Sequence, residues 1–185
     1  TVAVDTITSL PTLTTKANNG YSFSSWTITP LGAVTVNAPV AGVGANEETH
    51  EVTGMTADAT MTANFTVNTV TINASDINVT EGSTAILNVA LSNQPSGNVE
   101  VTVTAGAFVG GGDILTVNSD PVVFTFTPAD WNSFTRSVTI SSGTDGDTNN
   151  DARTINLNVT SDGHDGTVSS TTITATQLDT TPPGP

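Results

Sequence analysis

The 185-residue chain has no cysteine, which excludes disulfides and thiolate metal sites. Its only basic side chains are Lys16, Arg136 and Arg153, against 17 Asp and Glu, for a formal net charge of −14. Such a surface repels phosphate backbones and anionic lipid, so the sequence argues against nucleic acid and membrane-surface partners. It attracts divalent cations instead. No run of about 18 apolar residues occurs, so no segment reads as a membrane insertion. Two histidines and no cysteine leave little for catalysis, and no P-loop, nucleophile elbow or HExxH pattern is present. The sequence therefore predicts a protein that is not an enzyme. Aromatic residues make up 5%, few for the row of exposed rings that a sugar-binding face needs. No window sustains a helical period with good helix formers. Residue 1 is Thr and no signal-peptide pattern follows it, so the expectation is a processed chain or an excerpt from a longer one.

What the sequence has is Thr, Val and Asn, with 36% hydrophobic residues and a mean hydropathy of +0.01. Branching at Cβ suits Thr and Val to pleated strands. Short alternating runs recur between Gly, Asn, Asp and Pro breaks, among them "YSFSSWTIT" (21–29), "INVT" (77–80), "TAILNVALS" (84–92), "NVEVTVTA" (98–105) and "RTINLNVTS" (153–161). In "VEVTVT" the valines share one face, as in a half-buried strand. The pattern predicts an all-β protein of two antiparallel β domains in series, the second an immunoglobulin-like β-sandwich. Tyr21, Phe23, Trp26 and Phe65 form one aromatic set; Phe108, Phe124, Phe126, Trp131 and Phe134 form another. Two sets suggest two cores, with a boundary in "NTVTINASD" (68–76). The predicted units are 1–67, 68–180 and a Pro-rich linker or tail at 181–185.

In "TDGDTNND" (144–151), Asp145, Asp147, Asn149 and Asp151 stand at alternate positions with no basic residue among them. Hard oxygen ligands on a loop suit Ca²⁺. The alternative is an Asp/Asn-rich hairpin whose side chains cap their own backbone. The residues argue against an EF-hand, because Asn150 replaces its Gly, Asn156 stands where its Glu should be, and no helices are expected to flank the loop. "GGGDILTV" (110–117) offers Asp113 from a turn. "SDGHDGT" (161–167) reads as an exposed hairpin turn, and His50 in "ETHEV" as a strand-surface residue.

The pieces "INVTEGSTAILNVALS", "GGGD", "FTFTPADWNSFTRSVTI", "GTDGDTNND" and "ARTINLNVTS" come in the order and spacing of a Calx-β domain. Residues 70–180 resemble that family, a sandwich of about seven strands whose members often bind Ca²⁺ at one end. The resemblance implies calcium as the cofactor and Glu81, Asp113, Asp145 with Asp147 or Asp151, and Asp179 as ligands. "ANNGYSFSSWTI" and "MTADATMTANF" in the first half resemble the divergent bacterial repeat related to internalin B-repeats. Such repeats serve as spacers in long secreted or cell-wall proteins.

Together these features predict a structural or adhesive segment of an extracellular or cell-surface protein, stiffened by Ca²⁺. The expected partners are neighbouring domains of the same or identical chains, and surface glycans or proteins. Two alternatives stand beside it. One is a filament subunit in which the apolar start, "TVAVDTITSLPTL", adds to a neighbour's open sheet edge. The other is a carbohydrate-binding accessory module.

Overall fold

The computed structural model describes residue 10 and residues 12–41, 46–109, 115–132, 136–145 and 148–180. Among these residues every regular element is a strand. The chain divides into two compact units, Thr1–Val67 and Asn68–Pro185.

The first unit holds β1 (Thr12–Lys16), β2 (Tyr21–Thr29), β3 (Val34–Val36), β4 (Val40–Ala41), β5 (Glu47–Met55) and β6 (Thr60–Val67). β5 organises it: β1, β3 and β4 all pair antiparallel with it, while β2 pairs with β6 in a separate ribbon. The apolar cluster is small. Ala33, Val34 and Val52 are buried, with Leu13, Ile28, Val36 and Met61 packed on them.

An aromatic group joins ribbon to sheet. The Phe23 ring lies 4.5 Å from the His50 ring, and Trp26 lies 5.4 Å from it. His50 is therefore 1% exposed, which corrects its reading as a strand-surface residue. It shares its strand phase with Val52, and that phase faces inward. Its Nε2 meets the Thr15 hydroxyl at 3.1 Å.

The second unit holds β7 (Val70–Asn73), β8 (Ile77–Thr80), β9 (Thr84–Leu91), β10 (Val99–Val109), β11 (Leu115–Val117) and β12 (Val122–Phe126). It continues with β13 (Arg136–Ser142), β14 (Ala152–Asp162), β15 (Val168–Ser169) and β16 (Thr171–Leu178). Two five-stranded sheets, in the orders β12-β10-β14-β16-β8 and β11-β13-β9-β7-β15, form a sandwich. Between them lie Val79, Leu87, Val89, Val99, Val101, Val103, Leu115, Phe126, Ile140, Ile155, Leu157 and Ala175. Alternation explains the choice: on β10, Val99, Val101 and Val103 point in, and Glu100 and Thr102 are less buried. Each such side chain contributes roughly 1.5–3 kcal/mol by leaving water.

The sheets are antiparallel except at two places. β15 runs parallel to β7, and β16 parallel to β8. The chain crosses from one sheet to the other between β7 and β8, and again between β15 and β16. The two crossings track each other.

Glycines permit two close approaches. At Gly106, in an irregular stretch of the β10–β14 ladder, an added Cβ would meet the Thr154 hydroxyl. Gly97 and Gly163 lie against each other, and the Gly163 N–H donates to the Asn98 carbonyl at 2.8 Å.

Some aromatics depart from their expected core role. Phe108 is 37% exposed and carries the Arg153 guanidinium 4.1 Å above its ring. Phe65 is likewise 37% exposed. Trp131 and Phe124 are partly buried against the core. Phe134, residues 1–9 and residues 181–185 lie outside the described residues, so the predicted linker and most of the apolar start do too.

Candidate functional site

The register defines the two ends of the second sandwich. At one end, Val70 sits level with Val168, and the turn 161–167 folds onto the loop before β10. The turn is mostly exposed, as expected, but His164 within it is only 6% exposed. Its Nε2 lies 2.9 Å from the Asn68 carbonyl, and its Nδ1 lies 3.1 Å from the Ser96 N–H. A carbonyl can only accept, so Nε2 carries the proton and Nδ1 accepts. Asp162 supports the turn, accepting from the N–H groups of His164 (3.0 Å) and Val168 (3.0 Å). The imidazole thus ties the chain at the start of the unit to two loops.

At the opposite end, Thr80 sits level with Leu178, and the predicted cation ligands appear. Glu81 follows β8. Its Oε1 accepts from the Asp145 N–H at 3.3 Å, and its Oε2 from the Thr180 N–H and hydroxyl at 3.4 and 3.1 Å. The Asp179 N–H donates to Asn150 Oδ1 at 2.9 Å. Asp151 precedes β14 and is 7% exposed; its carbonyl accepts from the Gln177 N–H at 2.7 Å. The structure therefore brings Glu81 to the Asp145 backbone, and Asp179 to the acidic loop. Asp113 and Asp147 lie outside the described residues. Among the described residues, no three His, Asp or Glu side chains gather closely enough to hold a metal ion.

One residue at this end escaped the sequence reading. Gln177 is fully buried, and neither its amide nitrogen nor its amide oxygen has a hydrogen-bond partner. Leaving buried polar atoms unsatisfied costs about 1–3 kcal/mol each. The available signal was phase: Ile173, Ala175 and Gln177 form the inward row of β16, so a polar residue ends an otherwise apolar face. A carboxamide oxygen is also a hard ligand of the kind Ca²⁺ accepts.

Elsewhere on the surface, Asp130 closes the turn between β12 and β13. It accepts from the Thr127 N–H and hydroxyl, both at 2.8 Å, and pairs with Arg136 at 3.0 Å. The Thr127 hydrogen bonds, with the Arg136 charge behind them, hold its carboxyl below the usual carboxylate value.

The sequence matches no protein-family model and no curated protein. No family model therefore supports the Calx-β or B-repeat resemblance. Three solved structures to which the chain is similar involve all-β cohesin modules. A chain from a crystal structure of a CaCohA2 complex is 16% identical with a TM-score of 0.36, over 60% of this chain and 100% of that one. A chain of a cohesin–dockerin complex from Clostridium thermocellum is 9% identical with a TM-score of 0.36, over 61% and 100%. The solution structure of CaCohA2 from Clostridium acetobutylicum is 18% identical with a TM-score of 0.32, over 58% and 90%.

Proposed function

We propose that this chain is a non-enzymatic structural spacer of an extracellular or cell-surface protein, with its second unit stiffened by Ca²⁺ where the chain leaves it. One observation carries the spacer reading. β7 and β8 run in register beside β15 and β16, so the chain enters the sandwich at the His164 end and leaves at the Glu81 end. About ten residues of strand at about 3.3 Å each separate those ends by roughly 30 Å. A domain threaded in this way adds its full length to a chain of domains.

The calcium part draws on the Calx-β resemblance, on the negative charge and on oxygen-rich chemistry at one end. Glu81, Asp145, Asp151 and Asp179 would supply ligands there, joined by Asp113 and Asp147. An ion bound only by the folded state stabilises it by mass action, and it offsets repulsion between carboxylates.

The absence of cysteine makes the test direct. Thr69→Cys and Leu178→Cys, spin-labelled, give the distance across the unit by pulsed electron resonance. A distribution centred near 30 Å that narrows on adding Ca²⁺ is expected. A much shorter distance would sink the spacer reading. An identical distribution in EDTA and in Ca²⁺ would sink the stiffening.

A further inference from the structure

The second unit has a dry polar layer beneath its acidic loop, at the end from which the chain leaves. On β16, Ile173, Ala175 and Gln177 form the inward row, and Gln177 is level with Val79 of β8. On β14, Ile155 and Leu157 point inward, and Asp151 precedes that strand in the same phase. The Gln177 N–H donates to the Asp151 carbonyl at 2.7 Å, which sets the two residues side by side. Two residues beyond Gln177 and Val79 come Asp179 and Glu81. The apolar rows thus end in Gln177 and Asp151, between the core and the outer acids.

Solvent is excluded from this layer. Asp151 is 7% exposed and Gln177 0%, and Asp179 Oδ2 is shielded as well. Neither Gln177 Oε1 nor Gln177 Nε2 has a hydrogen-bond partner. Positive charge is engaged elsewhere: Lys16 pairs with Glu47, Arg136 with Asp130, and Arg153 donates to the Gly106 and Leu115 carbonyls. A water molecule could satisfy the amide, but it would do nothing for the negative charge buried beside it. A cation answers both demands. The acids do not form a cage by themselves, since no three of the described ones gather closely enough. The carboxamide is the neutral donor that adds to them.

We infer, resting on the calcium reading above, that Gln177 is a ligand of that ion and sets its specificity. Its carboxamide oxygen and the Asp151 carboxylate form the inner, water-free side of the site and select Ca²⁺ over Mg²⁺. Ca²⁺ accepts about six to eight oxygens, Gln carbonyls included, in flexible geometry. Mg²⁺ gives up its waters reluctantly and demands near-ideal octahedral geometry. A buried carboxamide beside a buried carboxylate offers ligands only to an ion that sheds its water on that side. The loop and Glu81 lie nearer solvent and can serve a hydrated ion; the inner layer cannot.

The test titrates the whole isotope-labelled chain with calcium chloride and, separately, magnesium chloride. Nuclear magnetic resonance follows the Gln177 carboxamide and the backbone amides of Asp145, Asp151 and Asp179. A saturable shift of the Gln177 carboxamide with Ca²⁺ is expected, with Mg²⁺ binding weaker by about tenfold or more. Gln177→Met keeps the length of the side chain and removes the oxygen. It should weaken Ca²⁺ binding by about tenfold or more, as loss of even a supporting group does at a metal site. Mg²⁺ affinity should stay nearly unchanged, so the preference collapses. Two results overturn this inference and leave the calcium reading standing: saturable Ca²⁺ shifts at Asp145 and Asp179 with the Gln177 carboxamide unmoved, or a variant that keeps the parent's Ca²⁺ affinity and preference. No saturable shift at any of the four positions overturns the calcium reading and this inference with it. The titration of the unaltered chain decides between these outcomes even if the variant does not fold.

Discussion

Glu81 Oε2 accepts hydrogen bonds from both the backbone N–H and the hydroxyl of Thr180, at 3.4 and 3.1 Å, across 99 residues of sequence. With Oε1 on the Asp145 N–H, one carboxylate joins the residue after β8, the acidic loop and the chain after β16. Glu81→Ala should destabilise the unit by about 1–2 kcal/mol, the worth of hydrogen bonds to a partly exposed charged group. Urea unfolding in EDTA measures it. If Ca²⁺ binds at this end, the variant should also lose most of the Ca²⁺-dependent gain in Tm.

Gln177 invites the opposite experiment. Replacing a buried polar group that has no partner by an apolar one of similar shape is neutral or stabilising. Gln177→Met should therefore leave stability in EDTA unchanged, or raise it by on the order of 1 kcal/mol. A loss of more than that would mean the amide is satisfied in solution by a water or an ion. A smaller Ca²⁺-dependent gain in the variant than in the parent would point to the ion.

His164→Ala should cost about 2–3 kcal/mol, because the Asn68 carbonyl and the Ser96 N–H lose their partner and a small cavity opens. Hydrogen exchange should show the loss concentrated at Asn68–Asn73 and in the 161–167 turn. Uniform loss across both sheets would contradict a local anchoring role.

Asp130 gives a pH signature of known sign. Its carboxyl titrates below the ordinary aspartate value of 3.8, so its contribution to stability is present above that pH and is lost as pH falls through the lower folded-state value. Asp130→Asn should lower Tm at neutral pH. The difference from the parent should shrink as pH falls below about 3.8. A difference that persists at low pH would mean that the side chain's shape, not its charge, matters.

The all-β class and most strands were legible, because alternation of Val and Ile with Thr survives wherever one face is buried. "YSFSSWTIT" and "INVT" correspond residue for residue to β2 and β8. β7 was not legible. Its four residues lie in a stretch that reads as a boundary, and Val70 and Ile72 are buried only because β9 and β15 flank them. The histidines were misread for a related reason. Composition marks His as a surface residue, but His50 shares the phase of Val52 and His164 caps carbonyl and N–H groups that only the tertiary fold brings together. The hydrogen bonds of Glu81 with Asp145 and Thr180 depend on strand register, which no local pattern carries. The expectation that Glu81 and Asp179 join the acidic loop came from family resemblance alone, and Thr180 was not part of it.

The parallel pairing of β16 with β8 has a mechanical consequence. Tension applied through the preceding and following chain would pull β7 and β8 from the His164 end and β16 from the Glu81 end. Adjacent parallel strands drawn in opposite directions slide along their length, so the rungs from Ala175↔Ile77 to Leu178↔Thr80 bear the load together and not one after another. A sandwich threaded this way resists stretching more than one opened from a single end, where each rung would fail in turn like a zip.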